Sequence, residues 1–214
     1  MSKRPVYALC TALCLLLALT AILSAGVVKL GRDHFLYARC FQAFADTEAL
    51  GVEKSQYEGL AQSLADYLSG READLSLFSE KEITHLTDIR QIFAGLDWVC
   101  AVTAPAALAL GYFLWRRPDP RGFLIGLAAA VLLAAAVTVL ILLDFDRAFV
   151  LMHRLLFTND FWLLDPSTDL LICLMPEAMF TFLAVRLAWL TLPAWLLLPT
   201  TAALIWQLQK HRDA

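Results

Sequence analysis

Charged side chains are scarce in this sequence. Only 17% of its 214 residues are Asp, Glu, Lys or Arg, 60% are hydrophobic, and the mean hydropathy is +0.65. Water-soluble domains are typically about a quarter charged and closer to half apolar. The net charge of −3 also provides no basic excess for binding nucleic-acid phosphates. These shortages exclude a disordered chain, an ordinary soluble domain and a nucleic-acid binder.

Paired cysteines are also missing. The chain has an odd number of cysteines with no CxxC spacing, namely Cys10, Cys14, Cys40, Cys100 and Cys173. This pattern supports neither a disulfide framework nor a zinc site. We therefore interpret the cysteines as small buried hydrophobes and expect no metal and no cofactor. The same pattern disfavours a four-span quinone enzyme that generates disulfides.

Four long uncharged runs hold the excess of hydrophobic residues. They cover residues 5–28, 98–115, 122–143 and 187–209. A bilayer core about 30 Å thick needs roughly 20 apolar helical residues, because lipid offers no partner to an exposed peptide group. We therefore predict an all-α integral membrane protein made of a single membrane domain, residues 1–214. The predicted transmembrane helices are about 5–28, 96–115, 122–144 and 184–208.

Basic residues flank these runs in a consistent pattern. They precede the first span, fill the second connection and follow the last span, as Lys3, Arg4, Arg116, Arg117, Arg121, Lys210 and Arg212. The positive-inside rule then places both termini in the cytoplasm. Residues 29–95 and 145–183 would form a mostly helical cap outside the membrane. The first run is longer than the 7–15 apolar residues of a signal peptide, so we interpret it as a retained span.

Local patterns predict helices within the expected cap. Tyr57, Leu60, Leu64 and Leu68 share one stripe of an amphipathic helix over residues 53–69. Ser79 and Glu82 have the spacing of a capping box, so a second outer helix should begin there and run into the second span. Asp165-Pro166-Ser167-Thr168-Asp169 predicts a turn and a helix start with Pro at the first helical position.

Two of the four histidines have a setting suited to proton transfer. His85 has Glu82 and Asp88 at helical spacing, and His153 has Asp146. Both histidines lie near a predicted membrane boundary on the same outer side. Imidazole titrates near pH 6.5, and a carboxylate can fix its tautomer, so acid–base catalysis is one interpretation. Metal or haem ligation and structural hydrogen bonding are the alternatives from pattern alone.

Neither the two remaining histidines nor a nucleophile motif indicates a second catalytic site. His34 is interpreted as an interfacial residue and His211 as part of the polar cytoplasmic tail. The chain has no GxSxG elbow, and no Ser or Cys stands beside His85 or His153. If acyl chemistry occurs, the attacking group is therefore expected to come from the substrate.

Two sequence blocks resemble a known bacterial family. The first is Glu82-Ile-Thr-His85-Leu-Thr-Asp88. The second is His153-Arg-Leu-Leu-Phe157-Thr-Asn159-Asp160-Phe-Trp162-Leu-Leu-Asp165-Pro166-Ser-Thr-Asp169-Leu-Leu-Ile172, with Pro176-Glu177 behind it. Both resemble the lipoprotein intramolecular transacylase family, and so does the layout of four spans with two outer insertions. The resemblance implies a cap over four helices in the bacterial cytoplasmic membrane, with His85 and His153 as the catalytic pair.

The activity implied by the resemblance is an O-to-N acyl transfer. The sn-2 acyl chain of a diacylglyceryl lipoprotein would move to the amino group of its own N-terminal cysteine, giving a lyso-form lipoprotein. The expected partners are a diacylated lipoprotein and membrane lipids, with no nucleic acid. A non-catalytic membrane protein of the same family and a four-helix haem or redox carrier are the alternative functions.

The remaining residues of these blocks are expected in supporting roles. His85 is hypothesised as the base because adjacent carboxylates raise imidazole basicity, and His153, as imidazolium, would stabilise the oxyanion or protonate the leaving oxygen. Asn159 can donate a hydrogen bond to the oxyanion. The carboxylates expected to orient groups or organise the backbone are Glu82, Asp88, Asp146, Asp160, Asp165 and Asp169. The aromatic residues expected to exclude water and guide acyl chains are Trp98, Phe149, Phe157, Phe161 and Trp162.

Overall fold

The protein is helical throughout the part that the structure describes. The computed structural model describes the backbone of residues 4–212 and the side chains of residues 4–48, 50–141 and 143–204. No strand occurs in that part of the chain. The helices are α1 (Arg4–Gly31), α2 (His34–Phe44), α3 (Tyr57–Leu68), α4 (Glu80–Arg116), α5 (Pro120–Leu143), α6 (Phe145–Leu156), α7 (Leu170–Leu174) and α8 (Glu177–Arg212), with short 3-10 turns at Glu48–Leu50 and Lys54–Gln56.

Four helices are long and apolar enough to cross a membrane. The qualifying segments are Arg4–Gly31, Glu80–Arg116, Pro120–Ile141 and Glu177–Leu204. Their outer faces expose large hydrophobic side chains such as Leu108, Leu132 and Trp189. In water such exposure would be unfavourable, whereas in a bilayer these faces contact lipid. The predicted fold class, an all-α membrane protein with four transmembrane helices, is confirmed.

The chain divides into two compact units. The first comprises residues 1–26, 98–143 and 188–214, as far as they are described. The second comprises residues 27–97 and 144–187. The first unit therefore contains most of each apolar run, and the second contains the polar segments between them. The grouping of both units into a single membrane domain stays a prediction.

Close approach of helix backbones holds the first unit together. Trp195 is buried and donates a hydrogen bond from Nε1 to the Leu15 carbonyl oxygen at 2.8 Å. At Gly126 of α5, an added Cβ would overlap the Ala8 carbonyl oxygen and lie 2.6 Å from Thr11 Cβ on α1. Small residues of this kind allow transmembrane helices to pack closely, where dispersion contacts replace the hydrophobic effect. The packing of α1 on α5 therefore requires glycine at 126.

The second unit has a conventional hydrophobic core. Phe41 of α2 and Tyr57 of α3 are both buried, and their rings meet edge to face with centroids 6.2 Å apart. The Tyr57 hydroxyl is satisfied by a buried hydrogen bond of 2.8 Å with Thr47 Oγ1. Leu86 of α4 and Leu174 of α7 are buried in the same cluster. Segments far apart in the sequence therefore share one core.

The helix boundaries confirm some expectations and correct others. The amphipathic helix is present as α3, and the Ser79–Glu82 capping box begins α4, which continues without a break into the second apolar run. The expected helix start at Pro166 is wrong, because residues 166–168 form a turn and α7 begins only at Leu170. Helices α5 and α6 are separate, because the backbone of Asp144 between them is not helical. Helix α2 was not predicted.

Replacing Gly126 with alanine should weaken the first unit. The new methyl group meets α1 backbone rather than a flexible side chain, so we expect a loss of roughly 1–3 kcal/mol in the free energy of unfolding. G95A is the control, because a Cβ at Gly95 has no heavy atom within 4 Å. Thermal unfolding in detergent should show a lower melting temperature for G126A alone. Equal melting temperatures for the two variants would contradict this packing.

Candidate functional site

His85 and His153 lie together in the second unit although 68 residues separate them in the sequence. Their ring centroids are 6.2 Å apart and both residues are buried. The ring of Phe157 contacts both histidines, with centroids 4.9 Å from His85 and 5.4 Å from His153. A single small group could therefore contact both rings.

The backbone of α6 fixes the tautomer of His153. Its Nδ1 lies 2.8 Å from the Phe149 carbonyl oxygen, one turn earlier in the helix. A carbonyl oxygen only accepts, so Nδ1 carries the proton and donates it. In the neutral ring, Nε2 then keeps a free lone pair. His153 is therefore arranged to accept a proton at Nε2.

His85 has an unsatisfied nitrogen. Its Nδ1 is buried and has no hydrogen-bond partner within the described residues. An unpaired buried polar atom costs roughly 1–3 kcal/mol, so native structures contain few of them. Such an atom beside a second histidine is available to a bound molecule.

Burial keeps both imidazoles neutral at pH 7. His85 lies in the polar first part of α4, before the apolar run that begins at residue 98. Burial, and then the neighbouring His153, lower the pKa of His85 to about 4, although Asp88 opposes this change. Burial also lowers the pKa of His153, and the hydrogen bond to Phe149 opposes it. The expectation that carboxylates make His85 unusually basic is therefore wrong, because desolvation outweighs Asp88.

Glu82 anchors the start of α4 instead of contacting His85. The carboxylate is only 1% exposed. Its Oε2 accepts from the Ser79 amide at 2.7 Å, and its Oε1 accepts from the buried Leu171 amide at 2.6 Å. Both oxygens thus bind backbone, one of them across 89 residues of sequence. Because His85 follows one turn later, Glu82 positions it through the helix.

The other two carboxylates expected beside the histidines have different partners. Asp88 accepts a hydrogen bond of 2.9 Å from Asn159 Nδ2 and so ties α4 to the loop after α6. The Asp146 carboxyl makes its hydrogen bond with the Glu177 carboxyl at the start of α8, not with His153. Asp88 therefore holds Asn159 near the site, whereas Asp146 connects two helices.

Asp165 and Asp169 organise the loop before α7. Asp169 is buried and accepts from the Asp165 amide at 2.8 Å and from Lys81 Nζ at 3.1 Å. Lys81 also donates to the Leu163 carbonyl oxygen at 2.6 Å. The Asp165 carboxylate accepts from the amide and hydroxyl of Ser167. Sequence reasoning missed Lys81, whose neighbours in the chain give no sign of a partner more than 80 residues away.

The aromatic residues divide into two groups. Phe149 and Trp162 contact the His153 ring, with centroid distances of 4.2 and 5.0 Å. Phe180 of α8, which sequence reasoning missed, packs on Phe149 at 5.2 Å. Phe161 is exposed, and Trp98 is exposed and belongs to the first unit. The histidine pair therefore has a wall made of Phe149, Phe157 and Trp162.

An apolar cavity lies elsewhere. It occupies about 590 Å³ in the first unit between apolar residues of α1, α4 and α8. Its lining contains no histidine or carboxylate, so it offers no acid–base pair. Across the described residues, no group of three or more His, Cys, Asp or Glu side chains is placed to hold a metal ion. The histidine pair is therefore the candidate site.

Replacing Glu82 with glutamine should destabilise the second unit. The substitution turns one acceptor into an NH₂ donor facing a backbone N–H, which costs roughly 1–3 kcal/mol. E80Q is the matched control, because Glu80 lies in the same helical turn but is exposed. Chemical unfolding in detergent should separate the two variants. If E82Q and E80Q unfold at the same denaturant concentration, the anchoring role is incorrect.

The His85 ring should remain neutral well below the ordinary histidine pKa of 6.5. Since the folded-state pKa is lower than the unfolded one, protonation favours unfolding, and stability should fall as the pH decreases from 6.5 towards 4. NMR of isotope-labelled histidine, assigned with H85Q, should show no titration of His85 between pH 8 and pH 5. A midpoint near pH 6.5 would mean that the ring is hydrated.

Comparison with known structures supports the same fold. The chain is similar to an in meso structure of the membrane integral lipoprotein intramolecular transacylase Lit from Bacillus cereus, with a TM-score of 0.74 and 22% identity over 99% of each chain. A structure of that protein with an H85R mutation, in its own numbering, gives a TM-score of 0.75 and 21% identity over 98% of this chain and 95% of that chain. A third structure of that protein, with an H85A mutation, gives a TM-score of 0.74 and 22% identity over 99% of this chain and 96% of that chain.

The family assignment comes from the sequence. Comparison with curated proteins gives no match. The family model described as lipoprotein intramolecular transacylase Lit matches residues 9–180, which is most of the chain and contains both site histidines. The protein therefore belongs to the lipoprotein intramolecular transacylase family.

Proposed function

We propose that this protein is a membrane transacylase that moves the sn-2 acyl chain of a diacylglyceryl lipoprotein onto the α-amino group of the same molecule's N-terminal cysteine. The product is a lyso-form lipoprotein. Family membership supports the reaction class. The observation that carries the mechanism is the pair of buried histidine rings 6.2 Å apart. No Ser or Cys stands beside either histidine in the sequence, so the substrate amine is the nucleophile.

His153 is proposed as the general base. The α-amino group has a pKa of about 7.7–8.0 and is mostly protonated at pH 7, so it must lose a proton before or during attack. Nε2 of His153 has a lone pair because Nδ1 donates to the Phe149 carbonyl oxygen. This fixed tautomer favours His153 over His85, whose pKa is lowered to about 4. The sequence-based choice of His85 as base is replaced accordingly.

His85 is proposed to act on the ester. The amine nitrogen forms a bond to the acyl carbon, and the bond from that carbon to the glyceryl oxygen breaks. The neutral His85 ring donates a hydrogen bond to the developing oxyanion, and the proton taken up by His153 passes to the glyceryl oxygen. Neither step needs an imidazolium before the reaction, which agrees with the lowered pKa values. Asn159 is held at the site by Asp88 and is a second candidate donor.

Confinement is the other part of the mechanism. Attack closes a ring through the amine nitrogen, two cysteine carbons, sulfur, two glyceryl carbons, the ester oxygen and the acyl carbon. Bringing these ends together has an entropic cost that a preorganised site reduces. The rings of Phe149, Phe157 and Trp162 restrict water around the histidines. Restricting water also disfavours hydrolysis of the ester.

The orientation in the membrane forms part of the proposal. Three basic segments, at 3–4, 116–121 and 210–212, favour cytoplasmic termini under the positive-inside rule. The second unit would then face the outside of the bacterial cytoplasmic membrane, where lipoproteins present their N-terminal cysteine. Diacylated lipoprotein and membrane lipids are the proposed partners.

Substituting either site histidine should strongly slow transfer. Purified protein would be mixed with a diacylated lipopeptide, and mass spectrometry would locate the acyl groups. The wild type should leave the total mass unchanged and move one chain from glycerol to nitrogen. H85Q and H153Q should lower this rate by roughly 10²–10⁴-fold, which is the usual contribution of acid–base catalysis. H34Q should remain active, because His34 lies in α2 and its ring packs on Phe35, away from the histidine pair.

The same assay separates the rival outcomes. Loss of an acyl chain to water would indicate a lipase, and gain of a third chain would indicate a transferase with a separate donor. Raising the pH from 7 to 9 should restore part of the H153Q rate, because more of the amine is already neutral, and should not restore H85Q. Near-normal transfer by H85Q and H153Q would show that the pair is not catalytic.

A further inference from the structure

A small cleft shares a wall with the histidine pair. It has a volume of about 190 Å³ and lies in the loop after α6. The ring of Phe157 contacts both histidines, and the ring of Trp162 lies 5.0 Å from His153. Both aromatic residues also line the cleft, together with Arg154, Thr158, Asn159, Asp160 and Leu163. A group bound in the cleft would therefore lie next to the reacting atoms.

The cleft is held in shape by long-range hydrogen bonds. Asn159 donates from Nδ2 to Asp88 at 2.9 Å and accepts from the Phe161 amide at 3.1 Å. Lys81 binds the Leu163 carbonyl oxygen at the far end of the same loop. A loop fixed at both ends loses little conformational entropy when a ligand binds. The cleft is thus preformed.

The polar lining of the cleft does not suit a fatty chain. Arg154, Thr158 and Asp160 are all exposed at its edge. The Arg154 guanidinium takes part in none of the ion pairs formed by the described residues, and it presents several N–H donors to an incoming acceptor. The volume equals roughly six water molecules of about 30 Å³ each. The cleft therefore fits a short polar segment better than a whole lipid acyl chain.

We propose that this cleft binds the first peptide residues that follow the N-terminal cysteine of the substrate, with Arg154 donating to their backbone carbonyl oxygens. The inference rests on the proposed function. When the cysteine amine lies at the histidine pair, the next Cα is only 3.8 Å from the cysteine Cα. The peptide must leave through a space next to the pair, and its carbonyl groups match the free donors of Arg154. Specificity for a lipopeptide over a simple diacylglyceride follows from this contact.

The test compares two ligands that cannot react. One is a dialkylglyceryl lipopeptide with ether-linked chains, and the other is dialkylglyceryl-cysteine N-methylamide, which lacks the following residues. Binding to detergent-solubilised protein would be measured by thermophoresis. Wild type should bind the lipopeptide more tightly than the truncated ligand. R154A should lose roughly tenfold in affinity for the lipopeptide, because a hydrogen bond from a charged donor is removed. Its affinity for the truncated ligand should equal that of the wild type.

R147A provides the matched control. Arg147 is exposed on the same helix but pairs with Asp144 at 3.1 Å and does not line the cleft. It should bind both ligands as the wild type does. An unchanged R154A affinity for the lipopeptide, or an equal loss for both ligands, would overturn the proposal. So would competition by phosphatidylglycerol that depends on Arg154, because this arginine would then bind a lipid headgroup.

Turnover separates the failure of the cleft from the failure of the reaction. Suppose that the wild type shows the expected ligand preference but does not move the acyl chain of an ester-linked lipopeptide. The peptide cleft would then be supported and the transacylase proposal would be refuted. If the wild type transfers the acyl chain but binds the two ether ligands with equal affinity, the reaction would be supported and the peptide cleft would be refuted.

Discussion

The buried carboxylate of Glu82 is the contact on which the candidate site depends. It caps the first turn of α4 by accepting a hydrogen bond from the Ser79 amide, and it also accepts one from the Leu171 amide. It therefore joins two segments that lie 89 residues apart. The adjacent Lys81 binds the loop before α7. His85 follows one turn later on the same helix, and the loop held by Lys81 carries Trp162, one of the aromatic residues beside His153. Backbone contacts made by two neighbouring side chains therefore set the distance between the histidines.

Burial determines what these histidines can do. Exposed imidazoles would be partly protonated near pH 7, whereas the low pKa of His85 and the lowered pKa of His153 keep both rings neutral. A neutral ring can take a proton from an amine or donate one N–H, and which it does depends on its tautomer. The Phe149 carbonyl oxygen settles this for His153. The Nδ1 of His85 is buried and has no hydrogen-bond partner among the described residues, so a hydrogen bond with substrate would satisfy it.

The features that the sequence predicted are those that follow from the spacing of neighbouring residues or from the length of apolar runs. Apolar runs of bilayer length predicted the spans, and the Ser79–Glu82 spacing predicted the start of α4. Helix α2 was missed, although Asp33 in fact caps its first turn. The family resemblance implied the pairing of His85 with His153. Other contacts between distant segments were out of reach, because residue types do not reveal their partners. Asp146 therefore seemed to belong to His153, whereas in the structure its carboxyl meets Glu177.

The central claim is that one substrate molecule contacts both rings at once. An experimental structure with an ether-linked dialkylglyceryl lipopeptide would test it most directly. The account predicts the substrate amine within hydrogen-bond distance of His153 Nε2 and the sn-2 oxygen beside His85. An amine bound away from both rings, or a ligand that reaches only one of them, would contradict it.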